Sequence, residues 1–278
     1  MGSRSNRPAP SAARLALGER ERGLSAPGDG SEQPRMGRPK RLMPEDHLER
    51  AMAATTPKAR AGWARRGLAH RGPLDRTTQT LLLRQLYLAH FAERSFERAY
   101  DIAAQALALG VLPDVIHQDA ARAKQAAGDI DQAVGHLRLA ARLGPPSRRA
   151  FHLWTLGALL FLAGRHTEAI SALARAARWG TTDKPLYEGH LAAAKLEAGM
   201  KVRNLGGIIE RLAHCPAGQG YGRLVLGLLA RHAGRGEDAR SYLEAFVART
   251  ERGQPTAAIA LEGEIGLARR TLVRVAAR

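Results

Sequence analysis

The sequence predicts an all-α protein in which a helix–turn–helix unit of about 35 residues recurs along the chain. A glycine followed five residues later by an alanine occurs in three short phrases: Gly128–Ala133, Gly164–Ala169 and Gly234–Ala239. With Gly199 between the last two, these glycines are spaced 36, 35 and 35 residues apart, which is a period typical of helical solenoids. The phrase Arg94–Ala99 has the same form without the glycine and starts 34 residues before Gly128. Five copies are therefore predicted between about Thr78 and Thr250.

Each copy is predicted to contain two helices, with the glycine in the turn between them. In the third copy, apolar residues recur at the helical period on both sides of the glycine: Leu153, Leu156, Leu160 and Leu162 before it, and Ala169, Ile170, Leu173 and Ala176 after it. Glycine suits the turn because the residue that follows a helix often has a positive φ. Alanine suits the point where the two helices cross, because a small side chain lets their backbones approach closely.

This pattern resembles the tetratricopeptide repeat family, whose motif places Leu-Gly, Gly and Ala at fixed positions. The third copy matches best, and the second and fifth follow it. The first copy has Arg94 where the glycine belongs, and the fourth has Asn204 for the alanine, with Gly206 and Gly207 in its second helix. Because internal glycines cost about 1 kcal/mol each relative to alanine, we expect that helix to be short or irregular. The resemblance covers residues 78–250 and implies a right-handed superhelical solenoid of about five repeats.

Helical segments are also predicted on both sides of the repeats. The chain divides into a tail, an N-terminal helical pair, the repeats and a C-terminal capping helix, at residues 1–42, 43–77, 78–250 and 251–278. The pair consists of Asp46 to Ala54 and Pro57 to His70. Pro255 to Ala277 is amphipathic and begins with a proline, which suits a first helical turn. Since the end of a solenoid needs a helix with a polar outer face, we expect this stretch to be the cap.

The first 42 residues lack a sustained hydrophobic face, so we expect a disordered basic tail. Within it, the sequence RMGRPKR resembles the AT-hook, an element whose arginine enters the minor groove of A/T-rich DNA. Met36 stands where the fuller hook has a second arginine, and a basic tail without a partner is the alternative interpretation. The candidate nucleic-acid contacts are Arg35, Arg38, Lys40 and Arg41.

The formal net charge of +17 favours attraction to nucleic acid or to anionic membrane surfaces. Arginine outnumbers lysine by 37 to 6, however, and a GC-rich genome produces this bias whatever the function. Several arginines fall on outward helix positions, where a solvated surface is the simpler interpretation. Examples are Arg138, Arg142, Arg175 and Arg178.

No motif in the sequence predicts catalysis. The metalloprotease HExxH, the phosphate-binding GxxxxGK[ST] and the GxSxG nucleophile pattern are all missing, and Cys215 is the single cysteine. We therefore expect no enzyme activity, no cofactor and no metal site. The longest apolar run, Leu153 to Ala163, is too short to span a bilayer, and the first thirty residues contain no apolar signal region. We expect a cytoplasmic protein that does not enter a membrane.

The family resemblance also implies a binding surface, because the first helix of each repeat lines a concave groove. Carried over position by position, the candidate groove residues are Arg84, Leu88, Phe91, Gln118, Arg122, Trp154, Phe161, Tyr221 and Arg231. Aromatic residues mixed with arginines favour an extended or helical peptide that carries acidic residues. The aromatic residues are equally consistent with packing against the next repeat.

The sequence thus predicts a protein–protein interaction scaffold or adaptor that binds a peptide or a partner helix in its groove. The alternative is a nucleic-acid-associated accessory or regulatory protein that uses the basic tail and the arginine-rich helix faces. No feature of the sequence identifies the partner or the oligomeric state.

Overall fold

The computed structural model describes residues 42–277, and this part of the chain is all-helical, as expected. It contains fourteen α-helices, one short 3-10 helix at Pro216–Gln219 and no strand. In chain order the α-helices are α1 (Pro44–Ala53), α2 (Pro57–Leu68), α3 (Arg76–Ala92), α4 (Phe96–Leu107), α5 (Pro113–Ala126), α6 (Ile130–Leu143), α7 (Pro146–Leu162), α8 (His166–Trp179), α9 (Lys184–Glu197), α10 (Leu205–Ala213), α11 (Gly222–His232), α12 (Gly236–Arg252), α13 (Pro255–Ala260) and α14 (Glu262–Ala276). Each helix packs against the next one along the chain.

Residues with left-handed backbone close the turns between paired helices. Gly128, Gly164, Gly199 and Gly234 have φ angles of 89°, 72°, 75° and 73°. Arg94 lies at the corresponding place between α3 and α4, with a φ angle of 56°. The prediction of positive φ at the turn glycines is confirmed, and the first copy adopts the same conformation with an arginine.

Small residues allow the paired helices to pack closely. The alanines predicted at the crossings are fully buried: Ala99, Ala133, Ala169 and Ala239. A Cβ atom added to Gly157 of α7 would lie 2.5 Å from Cγ of Leu173 in α8. Gly227 of α11 and Leu243 of α12 repeat this relation, also at 2.5 Å. The glycine therefore makes room for a leucine of the second helix.

The fourth copy is the irregular one, as its glycines predict. Helix α10 has nine residues, against fourteen in α9 before it. Asn204 has a φ angle of 51°, and its side-chain oxygen accepts a hydrogen bond from the Gly207 N–H at 3.2 Å. Asn204 thus caps the helix, at a place where the other copies bury an alanine.

Both helices of the predicted N-terminal pair are present as α1 and α2, and both pack against α3. The C-terminal stretch differs from the single capping helix expected from the sequence. It forms α13 and α14, which meet at Leu261. Helix α13 packs against α3 and α5, and α14 packs against α7, α11 and α12. Residues 255–276, which we call the terminal segment, therefore pack against the last helical hairpin, α11–α12, and also against the earlier helices α3, α5 and α7.

Candidate functional site

The terminal segment lies on one side of α3, α5, α7 and α11, which we call the inner face. Each of these helices is the first of a hairpin, so this is the side on which the sequence predicts a groove. Side-chain contacts link the first helices of neighbouring hairpins in series. These contacts are Arg84–Asp119, Arg148–Asp114, Trp154–Tyr187 and Arg231–Glu197. The candidate groove residues of separate copies are therefore parts of one connected surface.

Two of the three candidate arginines are paired with carboxylates of this chain. Arg84 donates from Nε to Oδ2 of the buried Asp119 at 2.6 Å. Arg231 forms an ion pair with Glu197. A hydrogen bond with His232 and the charge of Arg231 lower the pKa of the Glu197 carboxyl. These arginines therefore stabilise contacts between successive hairpins, and an acidic peptide would have to compete with the internal carboxylates.

Three of the four candidate aromatic residues form one cluster with a histidine. The rings of Trp154 and Tyr221 meet edge to face, with centroids 4.8 Å apart. Phe161 lies 5.2 Å from His190, and His190 lies 5.8 Å from Tyr221. Trp154 and Phe161 are buried. The cluster joins α7 and α9 to the start of α11.

The remaining candidates lie at the other end of the inner face. Phe91 and Gln118 are buried, and Leu88 is half-buried. Leu88 packs against the apolar cluster that contains Phe91, and Ile259 and Ala260 of the terminal segment pack against the same cluster. The part of the predicted binding surface around Leu88 and Phe91 is thus in contact with helical residues of this chain.

Two acidic residues of the terminal segment contact residues of the helical hairpins. Glu262 forms an ion pair with Arg94 at 3.1 Å, and both side chains are exposed. Glu264 is buried, and the Tyr221 hydroxyl donates to its Oε1 at 3.5 Å. Arg122, the third candidate arginine, lies close enough to act electrostatically on Glu264. The terminal segment therefore carries carboxylates among apolar residues, which is the composition expected of a ligand for the predicted groove.

Burial raises the pKa of Glu264 to about 7, against smaller opposing contributions from its hydrogen bonds and from Arg122. Burial also lowers the pKa of His190 to about 3. Both groups are consequently uncharged at mildly acidic pH. Among residues 42–277, Glu264 Oε2, Trp154 Nε1 and His190 Nδ1 are buried polar atoms without a hydrogen-bond partner. Unpaired buried polar atoms cost free energy, so the contact between the segment and the aromatic cluster is not optimised for stability.

The candidate nucleic-acid contacts Arg35, Arg38, Lys40 and Arg41 lie outside the described residues, as do residues 1–41 of the predicted tail of residues 1–42. The AT-hook resemblance stays a prediction. In the described part of the chain, no three His, Cys, Asp or Glu side chains converge to hold a metal ion. None of the helices between residues 42 and 277 has both the length and the apolar character needed to cross a membrane.

Sequence reasoning missed the role of the terminal segment in the site. A signal was present, because Glu264 lies three residues from both Leu261 and Leu267 and so falls on the apolar stripe of the helix. A carboxylate in such a stripe indicates a buried partner. Comparison with known proteins adds no candidate: no protein-family model matches this chain, and no curated protein matches its sequence.

Proposed function

We propose that this protein is an interaction scaffold of the tetratricopeptide-repeat type, whose inner face binds a helical segment. Five hairpins, from α3–α4 to α11–α12, form its right-handed superhelix. Supporting evidence comes from positions one period apart, where a small residue in one helix meets a large residue in the other. Two such contacts are Gly157–Leu173 and Gly227–Leu243. At the corresponding positions of the first two copies, Tyr87 and Ala103 are buried in one apolar cluster, and Ala121 and Leu137 are buried in another.

The observation that carries the proposed function is the position of the terminal segment. The inner face binds two amphipathic helices of this chain through an apolar contact at Ile259 and a buried contact at Glu264. A partner helix with the same pattern of apolar and acidic residues would meet the same surface. The terminal segment therefore acts as the resident ligand of the groove, and partner binding requires its displacement.

Two features favour displacement. Helix α13 has six residues, and none of them is fully buried. The buried polar atoms Trp154 Nε1 and Glu264 Oε2 have no hydrogen-bond partner among the described residues, so a ligand that satisfies them would bind with an advantage. Releasing the segment would expose the aromatic cluster, and large aromatic residues often dominate binding energy at interfaces.

The test begins with the whole chain, so that folding is not compromised. A protease site is inserted between Gly253 and Gln254, which are exposed, and the folded protein is cleaved there. A fluorescein-labelled peptide of residues 254–278 is then added, and its anisotropy is followed. We expect the peptide to exchange with the cleaved segment and to bind, whereas the uncleaved protein excludes it.

The matched control is the same peptide with Ile259→Glu and Ile265→Glu, which should not bind, because both side chains pack against apolar clusters. Two outcomes would refute the proposal. Loss of helicity on cleavage would show that the segment is an integral part of the core. Retention of the cleaved segment, with no exchange over days, would show that the inner face does not serve as a binding site.

A further inference from the structure

A second surface lies between α6 and α8, with α7 as its floor. It is an open cleft of about 560 Å³, within the usual size range of ligand sites. Leu153, Leu156 and Leu160 of α7 lie beneath the cleft and are almost fully buried, and the buried Ala141 and Ala172 line it on either side. The cleft is about 16 Å long, because its residues on α8 run from Glu168 to Trp179 at 1.5 Å per residue.

The rim of the cleft is strongly cationic. Four arginines and one glutamate line it. At one end, Arg138 of α6 pairs with Glu168 of α8 at 2.8 Å, so this charge is balanced. Arg142, Arg149 and Arg175 have no carboxylate partner among the described residues. The Nε atom of Arg149 is buried and lacks a hydrogen-bond partner there.

An exposed tryptophan stands at this cationic end. Trp179 keeps 43 % of its surface exposed, which is high for the largest apolar side chain. The guanidinium carbons of Arg149 and Arg175 lie 5.7 Å and 5.3 Å from its ring centroid. Tryptophan and arginine are the residue types most enriched at the energetic centres of protein interfaces.

The chain itself does not supply an acidic ligand for this cleft. The terminal segment packs against α3, α5, α7, α11 and α12 rather than against α6 and α8. Residues 1–43 contain nine basic and four acidic residues, so their net charge of +5 has the same sign as the rim. Neither residues 1–43 nor the terminal segment therefore supplies a ligand of complementary charge.

We propose that the cleft between α6 and α8 binds an acidic amphipathic helix of a partner protein, with apolar side chains against the exposed ring of Trp179 and carboxylates at Arg142, Arg149 and Arg175. A helix of about three turns matches the length of the cleft. The exposed Trp179 favours such a helix over a double-stranded nucleic acid, because a phosphate backbone offers no apolar group to cover its ring. This site is separate from the inner face, so the two can be occupied at once.

The test measures binding of a model peptide to the full chain by fluorescence anisotropy. The probe is a labelled helix of about 15 residues with leucines on one face and glutamates on the other. A scrambled peptide of the same composition, in which leucines and glutamates no longer lie on separate faces, is the control for the amphipathic pattern. The test variant combines Arg142→Glu with Arg175→Glu. Its matched control combines Arg178→Glu with Arg240→Glu, because these arginines are exposed, lie outside the cleft and give the same change in charge.

We expect the cleft variant to weaken binding of the probe by roughly tenfold or more and the control variant by no more than about threefold. Ser171→Trp, which fills the exposed wall of the cleft without changing charge, should also weaken binding. Equal losses in both charge variants would overturn the proposal in favour of nonspecific attraction. Equal binding of the scrambled peptide would overturn it as well. Tighter binding of a DNA oligonucleotide that competes at the same arginines would assign the cleft to nucleic acid.

Discussion

Replacement of Glu264 by Gln tests how the terminal segment is held on the inner face. Glutamine has nearly the shape of glutamic acid and can still accept the hydrogen bond from Tyr221, but it cannot ionise. Glu264 is buried, and among residues 42–277 Arg122 is the cation whose charge lowers its pKa against the effect of burial. The substitution therefore removes the ionisation of the side chain at position 264 and leaves its shape and packing unchanged.

The magnitude follows from the two pKa values. The docked carboxyl has a pKa of about 7, whereas the ordinary value is 4.5. Because the pKa is raised in the docked state, the stabilisation that the neutral carboxyl gives is complete below pH 4.5. It is lost as the pH rises through 7. One pKa unit corresponds to 1.36 kcal/mol, so ionisation weakens the docked state by roughly 3 kcal/mol. We expect Glu264→Gln to be more stable than the natural chain by up to about that amount at pH 8, with most of the difference gone at pH 5.

Urea unfolding at pH 5, 6, 7 and 8 provides the measurement, combined with exchange of the cleaved terminal segment at each pH. The matched control is Glu262→Gln, since Glu262 is exposed and its ion pair with Arg94 should contribute less than about 1 kcal/mol. A Glu264→Gln chain that is no more stable than the natural chain at pH 8 would refute the reasoning. A stability difference that persists unchanged at pH 5 would do the same, because it could not arise from ionisation.

Three further substitutions test the packing. Arg94→Gly should raise the free energy of unfolding by about 1 kcal/mol, because the residue has a φ of 56° that glycine adopts without strain; a loss on urea unfolding would contradict this. Gly157→Ala should lower the free energy of unfolding by about 1–3 kcal/mol, since the new methyl group would meet a leucine of α8. The control Gly135→Ala, in an open part of α6, should raise it by up to about 1 kcal/mol. Equal melting temperatures of the two variants would argue against close contact between α7 and α8. Arg84→Ala should cost about 2 kcal/mol by calorimetry, because it leaves the buried Asp119 without its partner, and a loss below about 0.5 kcal/mol would mean that water replaces the guanidinium.

The local features of the fold were accessible from sequence because their causes are local. A glycine at the end of a helix needs only its own backbone freedom to take positive φ, and Gly164 does so as expected. Two glycines in one helix lower its propensity wherever that helix packs, and α10 is short accordingly. The apolar stripe of α7 reports which residues are buried, and Leu153, Leu156 and Leu160 are buried.

The partners of these residues were decided only by tertiary structure. Periodicity shows that Trp154 and Phe161 lie on apolar positions, but an open groove and a covered face give the same pattern. Whether Arg84 is available to a ligand depends on Asp119, which lies 35 residues away in the chain. The sequence by itself determined most of the helices and the glycine turns between paired helices. The tertiary structure decided what covers the inner face, because the terminal segment is held there by contacts with helices far away in the chain, which no local pattern encodes.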